Sequence, residues 1–118
     1  MPGVRIVGVG HYSPENYINN DYMASIVDTN DEWIVKRTGI KTRSISKGEG
    51  SSELGAKAAA NALKNSGCDP NEIDLIIAAT TTPDSFTPST ACRIQGMLGL
   101  NNAVAFDVSA AVLVFYTH

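Results

Sequence analysis

Asp74–Thr81 reads DLIIAATT, an unbroken apolar run closed by two threonines. A run without polar alternation is the pattern of a strand buried on both faces, as in a parallel sheet. Upstream of it, Asp69, Pro70 and Asn71 make a turn, and Gly67 is placed to end a helix that starts at Ser51 or Ser52. Leu54, Ala58, Ala62 and Leu63 share one face of that helix, and its alanine density predicts close approach to another element. Downstream, Pro83 and Pro88 bracket a loop, Ser89 caps a helix ending at Gly99, and Ala103–Val108 reads as a further strand. At the N-terminal end, Val4–Gly10 (VRIVGVG) reads as a buried strand and His11–Asn16 as a loop. Asn19 or Asn20 caps a short helix bearing Tyr22, Met23, Ile26 and Val27. Asn30 caps another, with Asp31 and Glu32 in its first turn, that passes through Trp33, Ile34 and Arg37 to Gly39. Ile40–Ser46 follows as a strand with alternating exposed cations. Strands alternating with helix-length connections predict an α/β layered fold, and the lack of any repeat or linker predicts one compact unit.

The chain has 118 residues, 43% hydrophobic and 18% charged, with a net charge of −3. That composition excludes a disordered or collagen-like chain. No run nears the roughly 18 apolar residues of a membrane span, and the N-terminus lacks the pattern of a secretory signal, so a cytoplasmic location is the expectation. Cys68 and Cys92 make neither a disulfide framework nor a metal-ligand spacing. The charge is unevenly placed: Lys36, Arg37, Lys41, Arg43 and Lys47 are five of nine cations, with no acid between Trp33 and Gly48. An acidic chain with one basic stretch offers a local anion site or a solvated edge, and no nucleic-acid partner. Gly8–His11 has too few glycines for a dinucleotide fingerprint.

Three segments, DTNDEWIVKRTGI at Asp28–Ile40, ATTTPDSFTPSTACRIQGMLG at Ala79–Gly99 and AFDVSAA at Ala105–Ala111, resemble beta-ketoacyl-ACP synthase III of the thiolase superfamily. The resemblance runs in register over residues 4–111. It implies a five-layered αβαβα sandwich of two similar halves, usually a homodimer, of which residues 1–111 look like most of the N-terminal half, so that the fold is incomplete. The implied reaction moves an acyl group from an acyl-CoA to a cysteine thiol. The acyl-enzyme then condenses with malonyl-ACP, with loss of carbon dioxide, to begin fatty-acid synthesis. Coenzyme A thioester is then a substrate, no permanent cofactor or metal is implied, and acyl carrier protein is a partner.

By the same resemblance, Trp33, Arg37 and Thr38 match positions that hold the adenine and phosphates of coenzyme A, and Thr29 matches another. The residue types suit that role: an indole stacks, a guanidinium pairs with phosphate, and a hydroxyl hydrogen-bonds nearby. Trp33 and Arg37 stand four apart, on one helix face. A tryptophan packed on an arginine stem is the plainer reading of the pair. Thr87 matches a position at the end of the acyl pocket where many relatives carry phenylalanine, which implies room for a longer primer; an ordinary loop hydroxyl is the plainer reading. Cys92 reads as a buried structural thiol and Cys68 as a turn residue. Neither His11 nor His118 has a triad partner evident in the sequence.

The family's nucleophilic cysteine follows DVSAA at a helix N-terminus, where the dipole favours thiolate. Here that position is Val112, and the tail reads VLVFYTH in place of a Cys-Ser-Gly-Phe-x-Tyr-Ala pattern. Deleting the first base of TGT TCT GGT TTT TTA TAC GCA T gives GTT CTG GTT TTT TAT ACG CAT. That encodes Val112–His118 in full. Residues 112–118 are therefore expected to be a frameshifted tail, and the chain as written an inactive, truncated product without the family's Cys, His and Asn. Other readings are a different thiolase-superfamily acyltransferase, of the polyketide starter or hydroxymethylglutaryl-CoA synthase type, and a non-catalytic remnant that binds coenzyme A or dimerises.

Overall fold

The computed structural model describes residues 3–110. The chain divides into two compact units, Ser13–Gly48 and the remainder on either side of it, where the absence of a linker predicts one. Val112 and the tail 112–118 lie outside the described residues, as does Ala111.

Within Ser13–Gly48, strand β1 (Tyr17–Asn19) pairs antiparallel with β2 (Thr42–Ser44), Ile18 facing Arg43. The sequence reading contains β2, within a longer Ile40–Ser46, and misses β1. Three residues are too few for a period to show. Between them lie α1 (Asn20–Ala24) and α2 (Asp31–Thr38). Asn19 accepts from the Tyr22 amide at 2.9 Å and Asn30 from the Trp33 amide at 2.8 Å, so both predicted caps form. Gly39 ends α2 at φ +72°, a conformation that side-chain-bearing residues resist. The centre of the unit is polar. Asn20, 2% exposed, donates to Asp31 Oδ1 at 2.7 Å and to the Ile40 carbonyl at 2.9 Å. Its own carbonyl accepts from Arg43, which also donates to the Asn19 carbonyl at 3.0 Å. Arg43 is thereby turned inward and does not join an outward row of cations, because the buried amide needs a donor.

In the other unit, α3 (Ser51–Ser66) packs on α4 (Thr90–Leu98), and β3 (Leu75–Ala79) runs parallel to β4 (Val104–Val108), Ile77 facing Phe106. One 3₁₀ turn, Pro70–Glu72, leads into β3 under a capping box from Asp69. Gly67 and Gly99 end α3 and α4 in the left-handed conformation, and Ser89 caps α4 through the Cys92 amide. Helix α3 starts at Ser51, as read, but no serine caps it. The Asp84 carboxylate, from the following loop, accepts from the Ser51 amide at 2.6 Å, the Ser52 amide at 2.9 Å and the Ser52 hydroxyl. Asp107 on β4 does the same for α4, accepting from Thr90 N at 2.8 Å and Ala91 N at 2.7 Å.

Three readings change here. Val4–Gly10 forms no ladder and exposes Val4, Ile6 and Val9. It lies along α3 instead, where a Cβ on Gly10 would stand 2.2 Å from the Ala62 nitrogen. Asn65 and Asn61 of α3 donate to the Val9 and His11 carbonyls, both at 2.9 Å. Four helical residues rise about 6 Å and two extended residues about 6.6 Å, so the spacings match, and side-chain amides answer carbonyls that a neighbouring strand would otherwise take. Second, Asp74–Thr81 is covered on one face. Ile76, Ala78, Ala105 and Asp107 turn towards α4, whereas Leu75, Ile77, Val104 and Phe106 stay 45–66% exposed. Third, Cys92 is exposed: Ala91 and Ile94 take the inward face of α4 and leave Cys92 beside it, its sulfur 3.7 Å from the Ala105 carbonyl.

Candidate functional site

Helix α2 carries the densest chemistry of the Ser13–Gly48 unit. The Asn30 cap fixes the first turn, and a spacing of four puts Arg37 one turn beyond Trp33. The Arg37 guanidinium lies over the indole at 4.6 Å from the ring centroid. Asn30, Glu32, Trp33, Lys36 and Arg37 border an open depression of about 490 Å³. Trp33 remains 51% exposed despite the stacking, so much of the ring faces solvent. Two adjacent cations and an open indole form a surface that suits a flat ring bearing phosphates. Glu32 sets one negative charge at its border.

The predicted residues are not all brought together. Trp33 and Arg37 border the depression; Thr29 and Thr38 do not. Thr38 closes the end of α2, its hydroxyl donating to the Ile34 carbonyl at 2.7 Å and accepting from the Ile40 amide at 3.1 Å. That leaves it one lone pair and no proton to give to a phosphate oxygen without breaking the Ile34 bond. The Thr29 hydroxyl is buried without a hydrogen-bond partner. Lys36 was legible in the sequence only as part of a basic stretch; its spacing of three from Trp33 is the signal that places it here. Thr87 belongs to the other unit, on an exposed loop beside a fully exposed Phe86. That loop is pinned by Asp84 and by the Ser85 hydroxyl, which donates to the Pro88 carbonyl at 3.1 Å. Among the described residues no group of three His, Cys, Asp or Glu side chains is placed to hold a metal, and no helix is long and apolar enough to cross a membrane.

Two carboxylates are tuned by their helix starts. The Ser52 hydroxyl, then the Ser52 and Ser51 amides, hold Asp84 below the ordinary aspartate range. For Asp107, desolvation pushes the carboxyl up, but the Ala91 and Thr90 amides outweigh it and leave the group lowered. Asp107 lies in the strand that ends at Val108, four positions before Val112, so this contact ties that strand's end to α4.

No family model matches the chain. It is 56% identical over 111 residues, 94% of its length, to the beta-ketoacyl-[acyl-carrier-protein] synthase III of Clostridium acetobutylicum, of which it covers 34%. Among solved structures, the 3-oxoacyl-[acyl-carrier-protein] synthase III of Aquifex aeolicus VF5 superposes with a TM-score of 0.86 at 47% identity, over 92% of this chain and 35% of that one. The priming beta-ketosynthase of the R1128 polyketide biosynthetic pathway superposes at 0.83 with 37% identity, over 92% and 35%. The chain thus spans about a third of the length of the relatives it matches. In sequence and in its incomplete thiolase-like fold, it corresponds to a stretch of a beta-ketoacyl-[acyl-carrier-protein] synthase III.

Proposed function

We propose that these residues supply the coenzyme A-holding part of a synthase that condenses an acyl-CoA primer with malonyl-ACP. The Arg37–Trp33 stack beside Lys36 carries this reading, since it joins an aromatic face to phosphate-pairing cations on one helix. The adenine ring stacks on the open indole, and Arg37 and Lys36 pair with phosphate oxygens. In the whole enzyme a cysteine thiolate attacks the acyl-CoA carbonyl and expels the coenzyme A thiolate. Decarboxylation of malonyl-ACP releases carbon dioxide and leaves a carbanion, which attacks the acyl-enzyme carbonyl and expels the cysteine thiolate to give 3-oxoacyl-ACP. Such an enzyme works in the cytoplasm as a homodimer, with Thr87 at the end of the acyl pocket.

Val112 cannot be the nucleophile, so this chain as written does not condense. Incubation with acyl-CoA and malonyl-ACP should give neither ketoacyl product nor acyl-protein adduct. A stable thioester on the exposed Cys92 would overturn that statement. The frameshift reading is tested by the nucleotide sequence around codon 112; one base inserted there restores Cys-Ser-Gly-Phe, and an unshifted gene encoding the same tail would defeat it. Coenzyme A binding is tested by calorimetric titration of the chain. Trp33→Ala and Arg37→Ala should each weaken binding about tenfold, or ~1.4 kcal/mol. Equal affinity in the variants, or no binding by the unaltered chain, would refute the assignment.

A further inference from the structure

The Ser13–Gly48 unit is a closed excursion of the chain. Its stem is the β1–β2 ladder, extended one step towards its base by the Ile45 amide donating to the Asn16 carbonyl at 2.7 Å. Tyr12 is the last residue before this unit and Glu49 the first after it. The Tyr12 hydroxyl donates to Glu49 Oε1 at 3.1 Å. From α3, Lys57 reaches the same carboxylate oxygen in an ion pair and donates to the Tyr12 hydroxyl at 3.2 Å. Its ammonium also sits over the Tyr12 ring, 4.4 Å from the centroid. Lys57 continues a row of α3 residues four apart, Asn65, Asn61 and Lys57, that holds the incoming chain at Val9, His11 and Tyr12 in turn.

We propose that Tyr12, Glu49 and Lys57 are a clasp that joins the two chain ends of the Ser13–Gly48 unit and anchors both on α3. The clasp holds together the two residues that flank the excursion and so opposes the local opening of its β1–β2 stem. The Lys57 bond holds Glu49 below the ordinary carboxylate range, and Glu49 in turn raises Lys57, as mutual stabilisation requires. An exposed ion pair alone contributes little to global stability. A contact that closes a loop of 36 residues acts instead on the local opening of that loop.

Hydrogen exchange of the 118-residue chain tests this, with the Ile45 amide as reporter. Lys57→Met removes the charge, and Tyr12→Phe keeps the ring and removes only the hydroxyl that bonds Glu49 and Lys57. Exchange at Ile45 should quicken about tenfold in Lys57→Met and about threefold in Tyr12→Phe, while β3, β4 and α4 keep their protection. Added salt should speed Ile45 exchange in the unaltered chain and leave Lys57→Met unmoved. The exchanged pair Glu49→Lys with Lys57→Glu should recover most of the lost protection. Unchanged Ile45 exchange in both single variants, or equal loss of protection throughout the chain, would overturn the clasp. The readout needs no ligand, so its result is independent of coenzyme A binding.

Discussion

Residues 13–48 are organised around one buried asparagine, whereas the unit containing α3, α4 and the β3–β4 pair buries Ala56, Ala91, Ile94, Leu100 and Ala103. In the first, Asn20 satisfies groups from a helix, a loop and a strand at once. In the second, helices approach through small side chains: a Cβ on Gly55 would meet Ile94 Cδ1 at 2.7 Å. The contrast separates two ways of holding a fold. A polar hub specifies geometry and contributes little net free energy per bond, while apolar packing contributes most of the free energy and tolerates exchange of similar shapes. The unit that presents Trp33 and Arg37 has the polar kind of centre, which suits a surface that must hold charged groups at set positions.

The largest effect should come from the apolar unit. Ile94→Ala removes the longest buried side chain of α4 and should cost about 3 kcal/mol, read as a fall in the denaturant midpoint. Ile77→Ala, on the open face of the β3–β4 pair, should cost less than about 1 kcal/mol, since half of that side chain is already in water. Equal losses would mean that the open face is covered in solution. Next comes Asn20→Leu, nearly the same shape but unable to bond. It strands the Asp31 carboxylate, the Ile40 carbonyl and Arg43, and should cost about 2 kcal/mol. Its exchange signature should be confined to residues 13–48; a loss that spreads over α3 and α4 would break the comparison.

Acid should discriminate more weakly, and on the other side. Asp84 and Asp107 titrate below the ordinary aspartate value of 3.8 in the folded chain. A lowered carboxylate contributes stability that is fully present above the unfolded value and is lost as pH falls through the folded one. Protection at the first turns of α3 and α4 should therefore hold down to about pH 4 and decline below it. Asp107→Ala should remove the decline at α4 and cost about 1 kcal/mol at neutral pH, the scale of a lost helix cap. A flat pH response in the unaltered chain would show that neither carboxylate caps its helix.

What was legible in the sequence follows the distance over which each contact acts. Asn30, Ser89, Gly39, Gly67 and Gly99 cap or end helices through partners within four residues, and a local reading finds them. The caps from Asp84 and Asp107 join residues 32 or 33 and 16 or 17 apart, and no local pattern announces them. Asn20 looked like a second choice of helix cap; its burial depends on Asp31, Ile40 and Arg43 arriving from elsewhere. Val4–Gly10 has the composition of a strand, and in the described residues it finds α3 as its neighbour. Trp33 and Arg37 were legible because both lie on one helix, while the engagement of Thr38 depends on where the chain turns after Gly39.

Thr38 gives the smallest effect and the sharpest division between holding the fold and holding a ligand. Its hydroxyl is spent on the Ile34 carbonyl and the Ile40 amide. Thr38→Val keeps the branched shape and removes both bonds, so it should cost about 0.5–1 kcal/mol. The loss should appear as faster exchange at Ile40 and the last turn of α2. Coenzyme A affinity should stay within about twofold, in contrast to the tenfold loss on Trp33→Ala, because the bordering cations stay where they are. Thr38→Ser retains the hydroxyl and should keep the Ile40 protection. If instead Thr38→Val weakened coenzyme A binding tenfold with no change in exchange, the hydroxyl would belong to the ligand, and the end of α2 would have to be closed by Gly39 alone.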